Sequence, residues 1–337
     1  MKSWQISCTR QNKRLFWAAL CLLTLAVAAL SLWAGSVALP PEQVWAALLG
    51  RDKSSTAARI VLYSRLPRTA AAMLAGAALA VSGLVIQTVL SNPLASPGVI
   101  GVNSGAGLAV ALVCAIAPQA QQYTPLIAFI GAWLSVLLVM GLSQSTGASR
   151  MTVILAGVAI SNLFGAGIDA VVTFVPDALN GITDFRIGGF TGVTMSQLAP
   201  AAVMIMLSLF FIFSLSQQMD ILSLGDDTAQ SLGLSARAVR FFLLALAAAL
   251  AGAAVSFSGL LGFVGLIVPH TMRRLVGEDS LPLLAGSVLG GAFFVTACDL
   301  LARVLFSPFE LPVGIVLAFA GAPFFLWLLF RQRGGRT

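Results

Sequence analysis

Charge and histidine are what this sequence lacks most. Asp, Glu, Lys and Arg make up 9% of the chain, against roughly 25% in an average soluble domain, which excludes a water-soluble globule. A single histidine, His270, has no second imidazole with which to share a metal, and no His-Glu-x-x-His pair occurs. The four cysteines, Cys8, Cys21, Cys114 and Cys298, show neither paired nor metal-type spacing, and three lie inside apolar runs. The only lysines are Lys2, Lys13 and Lys53, and none follows a glycine. A nucleotide-binding P-loop is therefore excluded, because its lysine must follow a glycine of the phosphate cradle. No Ser-His or paired-Asp arrangement stands within the apolar runs, so the chain is not expected to be an enzyme, to hold a metal or to bind a cofactor of its own.

What is present is apolar: 58% of 337 residues. Runs near 20 residues recur from end to end, each able to cross a hydrocarbon core of roughly 30 Å as a helix. The expected fold class is an all-α polytopic membrane protein of about ten transmembrane helices: 15–38, 67–90, 97–117, 124–142, 151–176, 198–216, 238–258, 261–274, 281–304 and 312–330. Leu15 to Leu39 follows Lys2, Arg10, Lys13 and Arg14 as a signal peptide would, but its apolar length exceeds a signal core of about 7–15 residues, so a retained first span is expected. The organisation is a cytoplasmic tail over 1–14, a membrane domain over 15–331 and a second cytoplasmic tail over 332–337.

With the basic N-terminus inside, twelve of the nineteen Lys and Arg fall on inner segments, as the positive-inside rule asks. Five of the other seven, Arg51, Lys53, Arg59, Arg65 and Arg68, crowd into the outer segment between the first two spans. A basic cluster on that side asks for an acidic partner arriving from outside. The net charge of +7 does not signal nucleic acid, since no aromatic-interleaved basic patch exists. At an offset of 176, Leu74-Ala-Gly-Ala-Ala78 recurs as Leu250-Ala-Gly-Ala-Ala254, Ser82-Gly-Leu84 as Ser258-Gly-Leu260, and Pro93 aligns with Pro269. The spans concerned run in opposite directions, so the pattern predicts an inverted repeat, a transporter trait. Gly76, Ala80 and Gly83 predict close helix contact. Asn92-Pro93 to Pro97-Gly98 predicts a tight inner turn.

On the fifth span Asn162, Asp169 and Thr173 share one helix face, a candidate stripe along a pathway or a set of helix contacts. Between the sixth and seventh spans, Gly225 to Gly233 reads as a short helix capped by Asp226 at its start and Gly233 at its end. So short a helix is stable only when packed against something else.

Seven segments then stand in a telling order: Arg65-Leu-Pro-Arg68, Asn92-Pro-Leu-Ala-Ser-Pro-Gly98, Gly101-Val-Asn-Ser-Gly105, Leu224-Gly-Asp-Asp-Thr-Ala-Gln-Ser-Leu-Gly233, Gly262-Phe-Val-Gly-Leu-Ile-Val-Pro-His270, Asp299-Leu-Leu-Ala-Arg303 and Glu310-Leu-Pro-Val-Gly314. Together they resemble the FecCD family, the permease subunits of ABC importers for ferric siderophores, haem and cobalamin. The resemblance implies the type II importer fold, a dimer of permease subunits (this chain twice, or this chain with a paralogue), two copies of a cytoplasmic ATPase and a substrate-binding protein. It implies that Arg65, Arg68 and Arg303 meet glutamates of the binding protein, with an internal ion pair to Asp299 as the rival role for Arg303. It implies that a coupling segment near 220–237 docks on the ATPase, with Asp226, Ala229, Leu232 and Gly233 in the contact. ATP is then used by the partner, in a bacterial inner membrane with both termini cytoplasmic. One departure concerns Phe185 to Gly192, which lacks the tryptophan often found there in the family. A ferric siderophore or similar metal chelate is the expected substrate. Haem, cobalamin and, on the strength of Asp169 and the repeat, an ion-coupled secondary transporter are the alternatives.

Overall fold

A computed structural model describes residues 10–51, 55–145 and 150–333, so most of the N-terminal tail, Cys8, Lys53 and the last four residues lie outside the described residues. Among the described residues there is no strand. The helices in chain order are α1 Arg10–Trp33, α2 Pro41–Leu48, α3 Thr56–Ile60, α4 Leu66–Leu90, α5 Val102–Ile116, α6 Thr124–Ser145 and α7 Arg150–Phe174. There follow α8 Leu179–Ile187, α9 Met195–Ser214, α10 Ser216–Ser223, α11 Asp226–Ser231, α12 Ala236–Ser258, α13 Val264–Val276, α14 Ser280–Val304 and α15 Val313–Arg333. The ten expected spans correspond to α1, α4, α5, α6, α7, α9, α12, α13, α14 and α15. Among the described residues seven stretches are long and apolar enough to cross a membrane, while α5 and α13 are short.

Side-chain contacts sort the helix ends into two groups. The end of α1, the start of α4, the end of α14 and the loop before α15 meet through Arg65, Arg68, Arg303 and Glu310, which defines the arginine end. The end of α4, the start of α7, α11 and the start of α12 meet through Ser91, Arg150, Asp226 and Arg240, which defines the α11 end.

At the centre stands α4, buried along nearly its whole length and packed on α14, α12 and α13. Small residues make this possible. A Cβ added at Gly76 would lie 2.1 Å from Gly291 O, and one at Gly83 would lie 2.1 Å from Gly265 O, so the backbones touch where any larger residue would force them apart. Ser82 Oγ ties α4 to α12 by donating to Ala247 O at 2.6 Å.

The repeat takes a different form from the one expected. Ser82-Gly83-Leu84 lies in mid-α4, whereas Ser258-Gly259-Leu260 closes α12 with Gly259 at φ +64°; Pro93 is in a turn and Pro269 inside α13. The two halves correspond instead in their broken helices. After α4 the chain does not make a simple end turn but climbs back into the bundle, where Gly101 at φ +90° opens α5 beside Ser135, whose Oγ donates to Gly101 O at 2.8 Å. After α12, Phe263 at φ +65° opens α13 inside the bundle, where Gln87 Nε2 donates to Gly265 O at 2.9 Å. From neighbouring starts α5 runs to the arginine end and α13 to the α11 end. A small pocket lies between the two starts, lined by Leu79, Ser96, Pro97, Asn103 and Phe263.

Candidate functional site

At the arginine end the three arginines expected to face outward are turned inward. Arg65, Arg68 and Arg303 are 4%, 7% and 2% exposed, and Asp299 is fully buried. Arg68 lies along Asp299, with Nε donating to Oδ1 at 3.0 Å and to Oδ2 at 3.2 Å and with Nη2 3.0 Å from Oδ1. Its Nη1 donates to Glu310 Oε2 at 2.5 Å. Arg303 Nε lies 3.1 Å from Asp299 Oδ2, four residues back on the same helix, so the internal ion pair is formed. Its Nη1 donates to Ser31 O at 3.1 Å and its Nη2 to Ser31 Oγ at 2.5 Å. Arg65 donates to the carbonyls of Leu32, Trp33 and Val37.

Two of the three guanidinium groups therefore serve the carbonyls at the end of α1, where helix geometry leaves acceptors unpaired and the dipole favours a cation. This explains why α1 ends at Trp33 and not near residue 38. A guanidinium packed among helices has to find acceptors, and Asp299 and the α1 carbonyls are the ones within reach. The Asp299 to Arg303 spacing was the readable signal; Glu310 and Ser31, far away in sequence, gave none. Burial opposes ionisation of Glu310, but hydrogen bonds from Ser36 and Arg68 outweigh it and hold its pKa below that of an ordinary glutamate. The exposed surface around this cluster carries Arg59, Arg186, Tyr63, Phe306 and Phe309.

At the α11 end the chain leaves α10 through Gly225 at φ +106°, a conformation natural to glycine, and winds one short helix. Asp226 does not cap it: Gly225 occupies the cap position and the carboxylate points elsewhere. The far end does close on Gly233, at φ +80°, with Leu234 N donating to Ala229 O and Gly233 N to Gln230 O, both at 2.9 Å, a Schellman arrangement. Arg240 Nη2 donates to both oxygens of Asp226 at 2.6 Å, and Arg150 Nη2 to Oδ1 at 2.8 Å. The Arg240 hydrogen bond, with Arg150 behind it, depresses the Asp226 pKa against the opposing effect of burial. Ala229 is fully buried against its own chain and so offers no outward contact. Gly233 is exposed, as are Leu232 and Leu224, the last a residue the sequence reading did not single out.

On α7, Asn162, Asp169 and Thr173 share an exposed face, with Thr173 Oγ1 donating to Asp169 O at 2.7 Å. They do not contact either charged cluster. His270 packs edge-on to Phe324, ring centroids 6.0 Å apart. Among the described residues no group of three His, Cys, Asp or Glu converges on a point.

A helical bundle with several spans, charge clusters at its two ends and a six-residue helix standing at one of them is the architecture of a multi-pass membrane protein. The model of the FecCD transport family matches residues 22–331, and the chain belongs to that family. It is 36% identical over 324 residues to the Fe(3+)-citrate import system permease protein YfmE of Bacillus subtilis, covering 95% of this chain and 97% of that one. It is 39% identical over 285 residues to the hemin transport system permease protein HmuU of Yersinia pestis, covering 82% and 85%. A solved structure described as an inward-facing conformation of a metal-chelate type ABC transporter superposes with a TM-score of 0.82 at 30% identity, over 95% of this chain and 99% of the other.

Proposed function

We propose that this chain is the membrane-spanning permease subunit of an ATP-driven ABC importer that moves a ferric siderophore or similar metal chelate from a substrate-binding protein to the cytoplasm of a bacterium. The observation that carries the reading is α11: a six-residue helix, too short to persist alone, held by Asp226 and a glycine closure so that Leu224 and Leu232 stand exposed beside it. A surface of that kind suits insertion into a cleft of a cytoplasmic ATPase, which supplies the energy this chain cannot. Two copies of the ATPase would serve two permease subunits, and the partner permease, identical or a paralogue, would cover the open face of α7. Asn162, Asp169 and Thr173 then border the passage.

In this reading the α11 end and both termini are cytoplasmic and the arginine end faces outward from the inner membrane. The binding protein docks over Tyr63, Phe306 and Phe309, and its carboxylates reach Arg68 by displacing Glu310 and extend to Arg65 and Arg303 beneath. Aromatic side chains around a guanidinium are the usual anchors of such a surface.

The test is uptake of radioactive iron from a panel of ferric chelates by cells with the chain deleted, then restored as wild type or as Leu232→Asp, a change at an exposed position beside α11. Haem and labelled cobalamin run in parallel, since one of the relatives is a hemin permease. Uptake of one chelate that returns with wild type and not with Leu232→Asp supports the proposal. Dependence on haem or cobalamin alone reassigns the substrate, and an uptake that survives ATP depletion but collapses with the proton gradient replaces the ABC reading with an ion-coupled one.

A further inference from the structure

Resting on that reading, we propose that Arg150 is the positioning residue that couples α11 to α7, passing displacement of the ATPase-docking helix to the helix that borders the passage. Arg150 is the first residue of α7. Its Nη2 holds Asp226, the first residue of α11, at 2.8 Å, and its Nη1 holds Ser91 Oγ at the left-handed residue that closes the central helix α4. The backbone of α11 packs chiefly on α10 and α12, and α7 packs chiefly on α5, α6 and the turn at 97–100. One guanidinium thus spans two elements that otherwise lean on different neighbours.

The second arginine on Asp226 plays a different part. Arg240 belongs to α12, whose start follows α11 directly in the chain, so its one nitrogen, shared between both carboxylate oxygens, anchors α11 to the helix it is already joined to. Arg150 reaches across 76 positions of sequence. Its side chain is 28% exposed and that of Asp226 41%. A pair that wet adds about 0–1 kcal/mol to stability, so deleting it leaves the bundle standing. Its value lies in direction: a pull on α11 reaches α7 through a charge-assisted hydrogen bond.

The experiment uses the permease with its ATPase subunits in liposomes loaded with ATP, the binding protein and its iron chelate outside. Arg150→Met is compared with Arg150→Lys and Arg240→Met. We expect Arg150→Met to copurify with the ATPase and to hydrolyse ATP as wild type does, while chelate accumulated per ATP falls about tenfold, a coupling loss of ordinary size. Arg150→Lys should restore much of the ratio. Spin labels on Gln230 of α11 and Met151 of α7 should both shift with ATP in wild type, and only the Gln230 label in Arg150→Met. A fall in hydrolysis parallel to transport, loss of ATPase copurification, or an unchanged ratio overturns the inference. Absence of ATP-driven uptake by wild type would instead overturn the proposed function, and this inference with it.

Discussion

The two charged clusters use the same chemistry under opposite conditions. At the arginine end Asp299 is shared by Arg68 and Arg303, all three dry; at the α11 end Asp226 is shared by Arg150 and Arg240, with the carboxylate 41% exposed. Burial raises the stakes of an ion pair in both directions. In a dry site, removing one partner leaves a charge with neither water nor counterion, whereas a wet site lets water take the vacancy. The dry cluster is therefore suited to holding α1, α4 and α14 in register, and the wet one to joining α11 to α7 while adding little to stability.

Asp299→Ala should have the largest effect, since it strands two buried guanidinium groups; a loss of about 3–5 kcal/mol is expected, read as failure to recover folded protein in detergent or a steep drop in melting temperature. If Asp299→Ala is tolerated, the contrast between the clusters is broken. Glu310→Gln removes one edge of the same cluster at a half-exposed site, and about 1 kcal/mol is expected from chemical melting. The same substitution should tighten binding of the binding protein, measured by surface plasmon resonance on reconstituted permease, because Arg68 Nη1 no longer has to be released.

Asp226→Asn should cost about 1 kcal/mol or less at neutral pH. The pH dependence sharpens the point. The folded Asp226 pKa is depressed, so its stabilisation is present above the ordinary aspartate pKa and is lost as pH falls through the folded value. The difference in melting between wild type and Asp226→Asn should stay constant from pH 8 to about 5 and close below about pH 4, followed by calorimetry. The smallest effect on stability belongs to Leu232→Asp, an exposed position where near zero is expected, yet copurification with the ATPase should be lost.

How much of this the sequence disclosed depends on the range of the interaction. The spans were legible because a helix long enough to cross a membrane writes about 20 apolar residues in a row. The glycine contacts of α4 were legible in kind, since small residues on one face predict close approach, but the partners Gly291 and Gly265 were not. The burial of Arg65, Arg68 and Arg303 was missed because their acceptors lie elsewhere: Arg68 and Asp299 are 231 positions apart, Arg68 and Glu310 242. Only the four-residue spacing of Asp299 and Arg303 carried a hint. Asp226 fits a local capping rule, and its nearest arginines, one of them 76 positions away, outcompeted the backbone for it.

The clasp on α1 also has a history in time. Arg65 reaches back 32 positions to Trp33 O, while Arg303 reaches back 272 to Ser31. During synthesis at roughly 5–20 residues per second, the first arginine follows its helix into the membrane within a few seconds and the second arrives on the order of tens of seconds later. The end of α1 is thus fastened twice, once provisionally by a neighbour and once when nearly the whole chain has been made. A chain that stops short of Arg303 has the residues for the first fastening and lacks those for the second.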